Sequence, residues 1–176
     1  MSVLVAGIGN IFLGDDGFGV EVAQRLSTAG VPPWVRVADF GIRGLHLAFE
    51  LIERDYETTI LVDATPRGGA PGTLYLIEPD RSPASPEVAV SLDAHGMSPD
   101  VVLSLLTSLG GAGGRIVVVG CEPENVDEGI GLSTAVSDSL DEAVRLVRQQ
   151  IEEAARVAET EQQDVSRNPR ADRPVH

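Results

Sequence analysis

The chain has 176 residues and is 43% hydrophobic, which predicts one domain with one substantial core. Its formal net charge of −14 at pH 7 argues against a nucleic-acid partner, because nucleic-acid binding relies on clustered Lys and Arg. A cation or a basic protein is a compatible partner. The single cysteine cannot form an internal disulfide, no apolar run is long enough to span a bilayer and the first residues lack a secretory signal, so we expect a cytoplasmic protein without a membrane partner.

The first predicted strand ends in a glycine-rich loop that carries two adjacent carboxylates. Residues 3–6 are aliphatic, as in a parallel strand buried on both faces, and residues 7–19 read GIGNIFLGDDGFG. This is not a complete dinucleotide fingerprint, because Phe12 replaces the third glycine, and it is not a P-loop, because the chain has no lysine. We expect Asp15 and Asp16 at the carboxyl edge of the sheet, where open α/β folds bind ligands; each taken alone can equally be a helix cap.

A helix, a strand and a second helix are predicted next. Apolar spacing indicates a helix over 17–28 and a strand over 35–40. Asp39 ends that strand, where a nucleotide fold would hold a ribose, but it stands farther from the first glycines than that motif requires. His46 is expected on the solvent side of the second helix. The inward side of that helix is predicted to consist of Leu45, Ala48, Phe49 and Ile52.

The third predicted strand, residues 58–62, runs directly into Asp63. A carboxylate at the end of a buried strand is costly to desolvate without a partner or a ligand, so Asp63 is a candidate site residue. Its alternative role is to accept hydrogen bonds within the turn. A further strand over 73–77 is expected to be antiparallel at an edge, and a long irregular loop follows it over 78–94.

His95 stands at the end of this long loop, immediately ahead of a helix. Ser98 and Pro99 are typical of the N-cap and the first helical position. A lone loop histidine is more often structural than a ligand, but two strand-end acids make His95 a candidate metal ligand. Beyond the helix and a buried strand over 115–119, Cys121 is interpreted as inert packing.

Alternating strands and helices predict an α/β fold, a three-layer α/β/α sandwich with a twisted, mostly parallel central sheet of the phosphorylase and hydrolase type. A single α/β domain is predicted to span residues 1–158, and residues 159–176 are predicted to be a polar, disordered tail. In this fold Asp16, Asp63 and His95 lie on loops that can meet at one edge of the sheet.

The loops resemble those of the hydrogenase maturation endopeptidases, nickel-dependent processing proteases that trim the C-terminus of a hydrogenase large subunit. The resemblance covers nearly everything from Val3 to about Gln150. The segments that carry it are GIGNIFLGDDGFG at 7–19, DFGIRG at 39–44, LVDAT at 61–65, PGTLY at 71–75, AHGMS at 94–98, and GCEPE with GIGLS between 120 and 133.

This resemblance implies that Asp16, Asp63 and His95 contact nickel, which the precursor of the hydrogenase large subunit carries in its own active site; no organic cofactor is expected. It implies an aspartyl-type endopeptidase. As a hypothesis for the mechanism, Asp16 or Asp63 accepts a proton from the attacking water, and the metal polarises the scissile carbonyl if it lies close enough to it. Asp39 belongs to the same family block and is a further candidate for binding or proton transfer.

Three alternatives stay open at this point. The three nickel ligands can serve docking only, with the water activated elsewhere. The protein can be a chaperone or binding module that holds the nickel-loaded precursor without cutting it. It can also be another hydrolase of this architecture, similar to peptidyl-tRNA hydrolases or nucleoside phosphorylases, although the acidic composition and the absence of lysine argue against an RNA ligand.

Overall fold

A computed structural model describes residues 1–79, 98–111 and 114–167, with side chains up to Thr160. Strands and helices alternate along the described chain as the sequence pattern predicts. The elements in order are β1 (Val3–Ile8), a short 3-10 turn (Gly14–Gly17), α1 (Phe18–Ala29), β2 (Val35–Gly41), α2 (Gly44–Glu53), β3 (Thr58–Ala64), β4 (Leu74–Ile77), α3 (Pro99–Ser108), β5 (Arg115–Cys121) and α4 (Thr134–Arg167).

The described strands form one five-stranded sheet in the order β2-β1-β3-β5-β4. Four of them are parallel, and β4 pairs antiparallel with β5 at the edge. This confirms the mostly parallel sheet and the antiparallel edge strand that the sequence predicts. Because the parallel strands share one direction, the loops after β1, β2, β3 and β5 all leave from the same edge.

Helices cover both faces of the sheet, which confirms the three-layer architecture. Helices α1 and α4 pack on one face, and α2 and α3 pack on the other. The first face is built around Phe18, Val22 and Leu26 of α1 with Val136, Leu140, Val147 and Ile151 of α4. The second face is built around Leu47 and Leu51 of α2 with Val102 and Leu106 of α3. Each large side chain buried in this way contributes about 1.5–3 kcal/mol to folding.

The predicted inward side of α2 is partly wrong. Ala48 is buried as predicted, but the side chains of Leu45 and Phe49 are 51% and 46% exposed, and Leu47 and Leu51 are buried in their place. Both pairs are spaced by four residues, so each makes a valid apolar stripe on a helix. The packing against α3 decides between the two stripes, and His46 is exposed as predicted.

Helix α1 packs against the backbone of the sheet at Gly19, which has no side chain. A Cβ on Gly19 would lie 2.1 Å from the carbonyl oxygen of Val62 and 2.3 Å from that of Ile8. A contact this short is not possible for any other residue without separating the helix from β1 and β3. The close packing fixes the 3-10 turn, which directly precedes α1, against the carboxyl end of β3.

Helix α4 begins after Ser133, whose Oγ accepts a hydrogen bond from the Val136 amide at 3.3 Å, as is typical of a serine N-cap. The helix continues to Arg167, so the predicted tail is helical as far as that residue. Division of the chain into a domain and a tail stays a prediction, as does the cytoplasmic location. In the described part of the chain, no helix is both long and apolar enough to cross a membrane.

Candidate active site

Asp63 is a buried carboxylic acid at the carboxyl end of β3. It is 3% exposed, and its Oδ1 atom has no hydrogen-bond partner within the described residues. Burial raises the pKa of Asp63 well above its ordinary value, and the negative charge of Asp16 raises it further, while the Ala64 amide partly opposes both. An unpaired buried oxygen of this kind is costly unless a ligand or a proton satisfies it.

Asp16 lies in the 3-10 turn and faces the same region. Its Oδ2 atom accepts a hydrogen bond from the Asn10 amide at 2.7 Å, and its side chain is only partly exposed. Burial raises the pKa of Asp16, and the hydrogen bond from Asn10 offsets only part of that increase. The turn can approach β1 because residue 9 is glycine with φ of 128°; a Cβ there would lie 1.8 Å from the Asp16 carbonyl oxygen.

The structure therefore brings Asp16 and Asp63 together, as the sequence predicts for loops at one edge. Their charges interact strongly enough for Asp16 to raise the pKa of Asp63. Raised pKa values in two neighbouring carboxyl groups favour a state in which one of them carries a proton and the other is ionised. Such a pair can act as a general base and a general acid, and it can also bind a cation.

Asp15, the neighbour of Asp16 in sequence, has a different task. It is 1% exposed, and its carboxylate accepts hydrogen bonds from the backbone amides of Glu124, Asn125 and Ser133 at 2.8, 3.0 and 2.6 Å. Burial by itself would raise the pKa of Asp15, but these hydrogen bonds outweigh burial and lower it. Asp15 thus joins the loop that carries Asp16 to the loop after β5.

Asp39 lies at the same edge but is separated from Asp63 by one strand. It is exposed, it pairs with Gly7 in the register of β1 and β2, and β1 stands between β2 and β3. Its carbonyl oxygen accepts a hydrogen bond from Arg43 Nη2 at 2.6 Å, which closes the turn into α2. The structure places Asp39 beside the acidic pair rather than within it.

His95, the third predicted metal ligand, lies outside the described residues. The described chain resumes at Ser98, and Asp100 in the first turn of α3 is close enough for its charge to raise the pKa of Asp63. Within the described ranges, no three His, Cys, Asp or Glu side chains are grouped closely enough to hold a metal ion. Of the three metal ligands predicted from the sequence, the described residues therefore include two, the carboxylates of Asp16 and Asp63.

Glu122 is a buried carboxylate that the sequence analysis did not select. It is 6% exposed and accepts hydrogen bonds from the amides of Arg67 and Gly68 at 2.8 and 3.1 Å and from the Tyr75 hydroxyl at 2.7 Å. The hydrogen bond from Tyr75, followed by those of the two amides, lowers the pKa of Glu122. It anchors the loop after Asp63. An acid directly after a buried strand was the signal that identified Asp63, and Glu122 has the same signal.

Cys121 is fully buried at the end of β5, which agrees with its interpretation as packing. Burial raises the pKa of its thiol, so the reactive thiolate is disfavoured. Its Sγ atom lies 3.4 Å from the Ser139 hydroxyl. The geometry gives it no nucleophilic role among the described residues.

Comparison with known proteins identifies relatives over most of the chain. A family model for hydrogenase maturation proteases (HycI) matches residues 20–150. The chain is 33% identical over 148 residues to a putative hydrogenase maturation protease of Methanocaldococcus jannaschii, a match that covers 82% of this chain and 93% of the relative. The match to the solved structure of the hydrogenase maturating endopeptidase HybD from E. coli has a TM-score of 0.71 at 28% identity and covers 88% and 94% of the two chains. The match to a [NiFe] hydrogenase maturation protease HycI from Thermococcus kodakarensis has a TM-score of 0.67 at 26% identity and covers 84% and 90%.

Proposed function

The chain belongs to the hydrogenase maturation protease family and is a peptidase, and we propose that it removes a C-terminal peptide from the nickel-loaded precursor of a [NiFe]-hydrogenase large subunit. The observation that carries this proposal is the buried Asp63, whose Oδ1 is unpartnered among the described residues, beside Asp16 at the carboxyl edge of the sheet. The proposed partner is the precursor itself.

In this proposal nickel is part of the substrate and arrives with the precursor. Carboxylate and imidazole groups suit a borderline divalent ion such as nickel. The unsatisfied Oδ1 of Asp63 fits such a ligand, because a positive charge there would offset the cost of burying the carboxylate. Asp16 supplies the second carboxylate and His95 is the proposed third ligand. The ion would supply a Lewis acid near the peptide bond that is cut.

The proposed proton transfers use the acidic pair. Asp63 has the more strongly raised pKa and is the acid of the pair that more readily holds a proton, while Asp16 keeps its charge more readily because the Asn10 amide donates to it. An ionised carboxylate of the pair accepts a proton from the attacking water and returns it to the amine that leaves. Asp39, one strand away, is proposed to assist binding rather than proton transfer.

The direct test is mass spectrometry of the large-subunit precursor of the same organism after incubation with this protein. Nickel-loaded and nickel-free precursor are compared, with Asp63→Asn as the variant and Asp138→Asn, an exposed acid on α4, as the matched control. We expect loss of a C-terminal peptide only from loaded precursor, with the wild type and the control, and none with Asp63→Asn.

Two outcomes would contradict the proposal. If Asp63→Asn processed the precursor as the wild type does, Asp63 would have no role in either the cleavage or the recognition of the metal. A stable complex of the wild type with loaded precursor, without release of a peptide, would favour a chaperone function instead.

A further inference from the structure

Four exposed apolar side chains lie on the two loops beside the acidic pair. Ile11 and Phe12, on the loop after β1, are 46% and 61% exposed, and Val126 and Ile130, on the loop after β5, are 49% and 82% exposed. Single exposed apolar residues are ordinary, whereas a group of them on adjacent segments is typical of an interaction surface. We call these four residues the apolar rim.

Backbone hydrogen bonds hold the two loops of the apolar rim together. The Gly129 amide donates to the Phe12 carbonyl at 2.8 Å, and the Gly14 amide donates to the Gly129 carbonyl at 2.9 Å. The Asp15 carboxylate adds its three hydrogen bonds to the second loop. The rim is thus a preorganised surface, and binding to it costs little ordering of the loops.

The second loop is also strongly acidic. Glu124, Asp127 and Glu128 are exposed, and no ion pair within the described residues involves any of them. The whole chain carries a net charge of −14. The best electrostatic match for this surface is a partner with apolar side chains flanked by basic ones, because basic groups are attracted to the loop and acidic groups are repelled.

The rim is connected to the acidic pair through one residue. Asn10 donates its amide hydrogen to Asp16 Oδ2 at 2.7 Å, and its own Oδ1 accepts from the Phe12 amide at 3.0 Å. A polypeptide held on Phe12 therefore lies next to the carboxylate that is proposed to act on the scissile bond.

We propose that the apolar rim is the docking surface for the hydrogenase large-subunit precursor, and that it receives an apolar segment of the precursor with basic residues on its flanks. The inference rests on the proposed function and specifies how the substrate is recognised. Apolar contact with the rim supplies affinity, while the acidic loop steers the basic flanks and fixes the orientation.

The test compares steady-state cleavage of the nickel-loaded precursor by the wild type, by Phe12→Ser/Ile130→Ser and by Leu109→Ser. Leu109 is 45% exposed and lies between the end of α3 and the start of β5. It is therefore at the amino edge of the parallel strands, opposite the edge that carries the rim, and is a matched apolar control. The double variant is expected to raise KM at least tenfold and to change kcat much less. The control is expected to stay within twofold of the wild type.

A second variant tests the charge component. Glu124→Gln/Asp127→Asn/Glu128→Gln is expected to raise KM at low salt and to abolish most of the increase in KM that added salt causes in the wild type. Thermal melting followed by circular dichroism verifies that each variant is folded. If the double variant melts at a lower temperature than the wild type, the single Ile130→Ser variant replaces it and is expected to raise KM about threefold.

The outcomes separate the two proposals. Cleavage by the wild type together with equal KM values for the rim variants and Leu109→Ser would overturn the docking inference and leave the proposed function intact. Absence of both cleavage and binding by the wild type would overturn the proposed function and the docking inference with it.

Discussion

Asp15 and Asp16 are adjacent in sequence, yet their surroundings shift their pKa values in opposite directions. Asp15 accepts three backbone hydrogen bonds that outweigh burial and lower its pKa, whereas Asp16 accepts one, and burial raises its pKa. The first is held as a permanent anion that joins two loops. In the second, burial favours the protonated form, which is the direction that a proton-transferring acid needs.

Replacement of Asp15 is expected to destabilise the fold. Asp15→Asn leaves one carbonyl oxygen and one amide group to face three amide donors, and a cost of about 2–4 kcal/mol in the free energy of unfolding follows from lost hydrogen bonds to a buried charge. Because the pKa of Asp15 is lowered in the folded state, its stabilisation is present above its ordinary value of 3.8 and is lost as the pH falls below it. Urea unfolding at several pH values measures both effects, and Asp55→Asn, at an exposed loop position, is the control.

Asp63→Asn is expected to have the opposite effect on stability. The pKa of Asp63 is raised in the folded state, so its contribution is fully present below 3.8 and is lost as the pH rises through the folded pKa. The variant, which cannot ionise, should gain stability relative to the wild type as the pH rises from about 4 to neutrality. Thermal melting of both proteins across this range tests the idea, and parallel melting curves at every pH would contradict it.

The three acids at the edge of the sheet should differ in their contributions to cleavage. Asp16→Asn and Asp63→Asn each remove a carboxylate of the acidic pair, and we expect a loss of about 10²–10⁴-fold in kcat. Asp39→Asn changes an exposed acid one strand away and should lower kcat less than tenfold. Single-turnover cleavage of loaded precursor measures all three, and an equal loss for Asp39→Asn would place that residue in the chemistry.

The close packing of α1 predicts a strong effect of Gly19→Ala. The new Cβ would lie 2.1 Å from the Val62 carbonyl oxygen, so α1 must move away from the sheet at a cost of about 3 kcal/mol or more. Gly129→Ala is the matched control, because a Cβ there has no atom within 4 Å. Denaturant unfolding should separate the two variants clearly, and similar midpoints would contradict the packing argument.

The hydrogen bond between Glu122 and Tyr75 should be visible in a tyrosine titration. Its carboxylate acceptor raises the pKa of Tyr75, so Glu122→Gln is expected to lower that pKa towards 10. Tyr56, the other tyrosine, has its pKa raised to about 12, first by burial and then by its hydrogen bond to Glu50, and provides an internal control. Ultraviolet absorbance between neutral and alkaline pH resolves the two groups. An unchanged titration of Tyr75 in the variant would exclude the bond in solution.

Sequence alone determined the layered fold, because the signals that specify it are local and repeated. Runs rich in aliphatic residues at 3–6, 58–62 and 115–119 predicted the buried parallel strands. The carboxyl ends of such strands meet at one edge whatever the details of packing, so the presence of Asp16 and Asp63 at that edge followed from their positions after strands. The apolar spacing of α4 and the serine that caps it are local signals of the same kind.

Only the tertiary structure decided which of several equivalent local choices was used. Two stripes on α2 were equally apolar, and contact with α3 buried Leu47 and Leu51 in preference to Leu45 and Phe49. Asp15 and Asp16 were chemically identical neighbours until the loop after β5 supplied amide donors to the first of them. Hydrogen bonds over more than a hundred residues of sequence, and the desolvation that accompanies them, depend on distances that no local pattern contains.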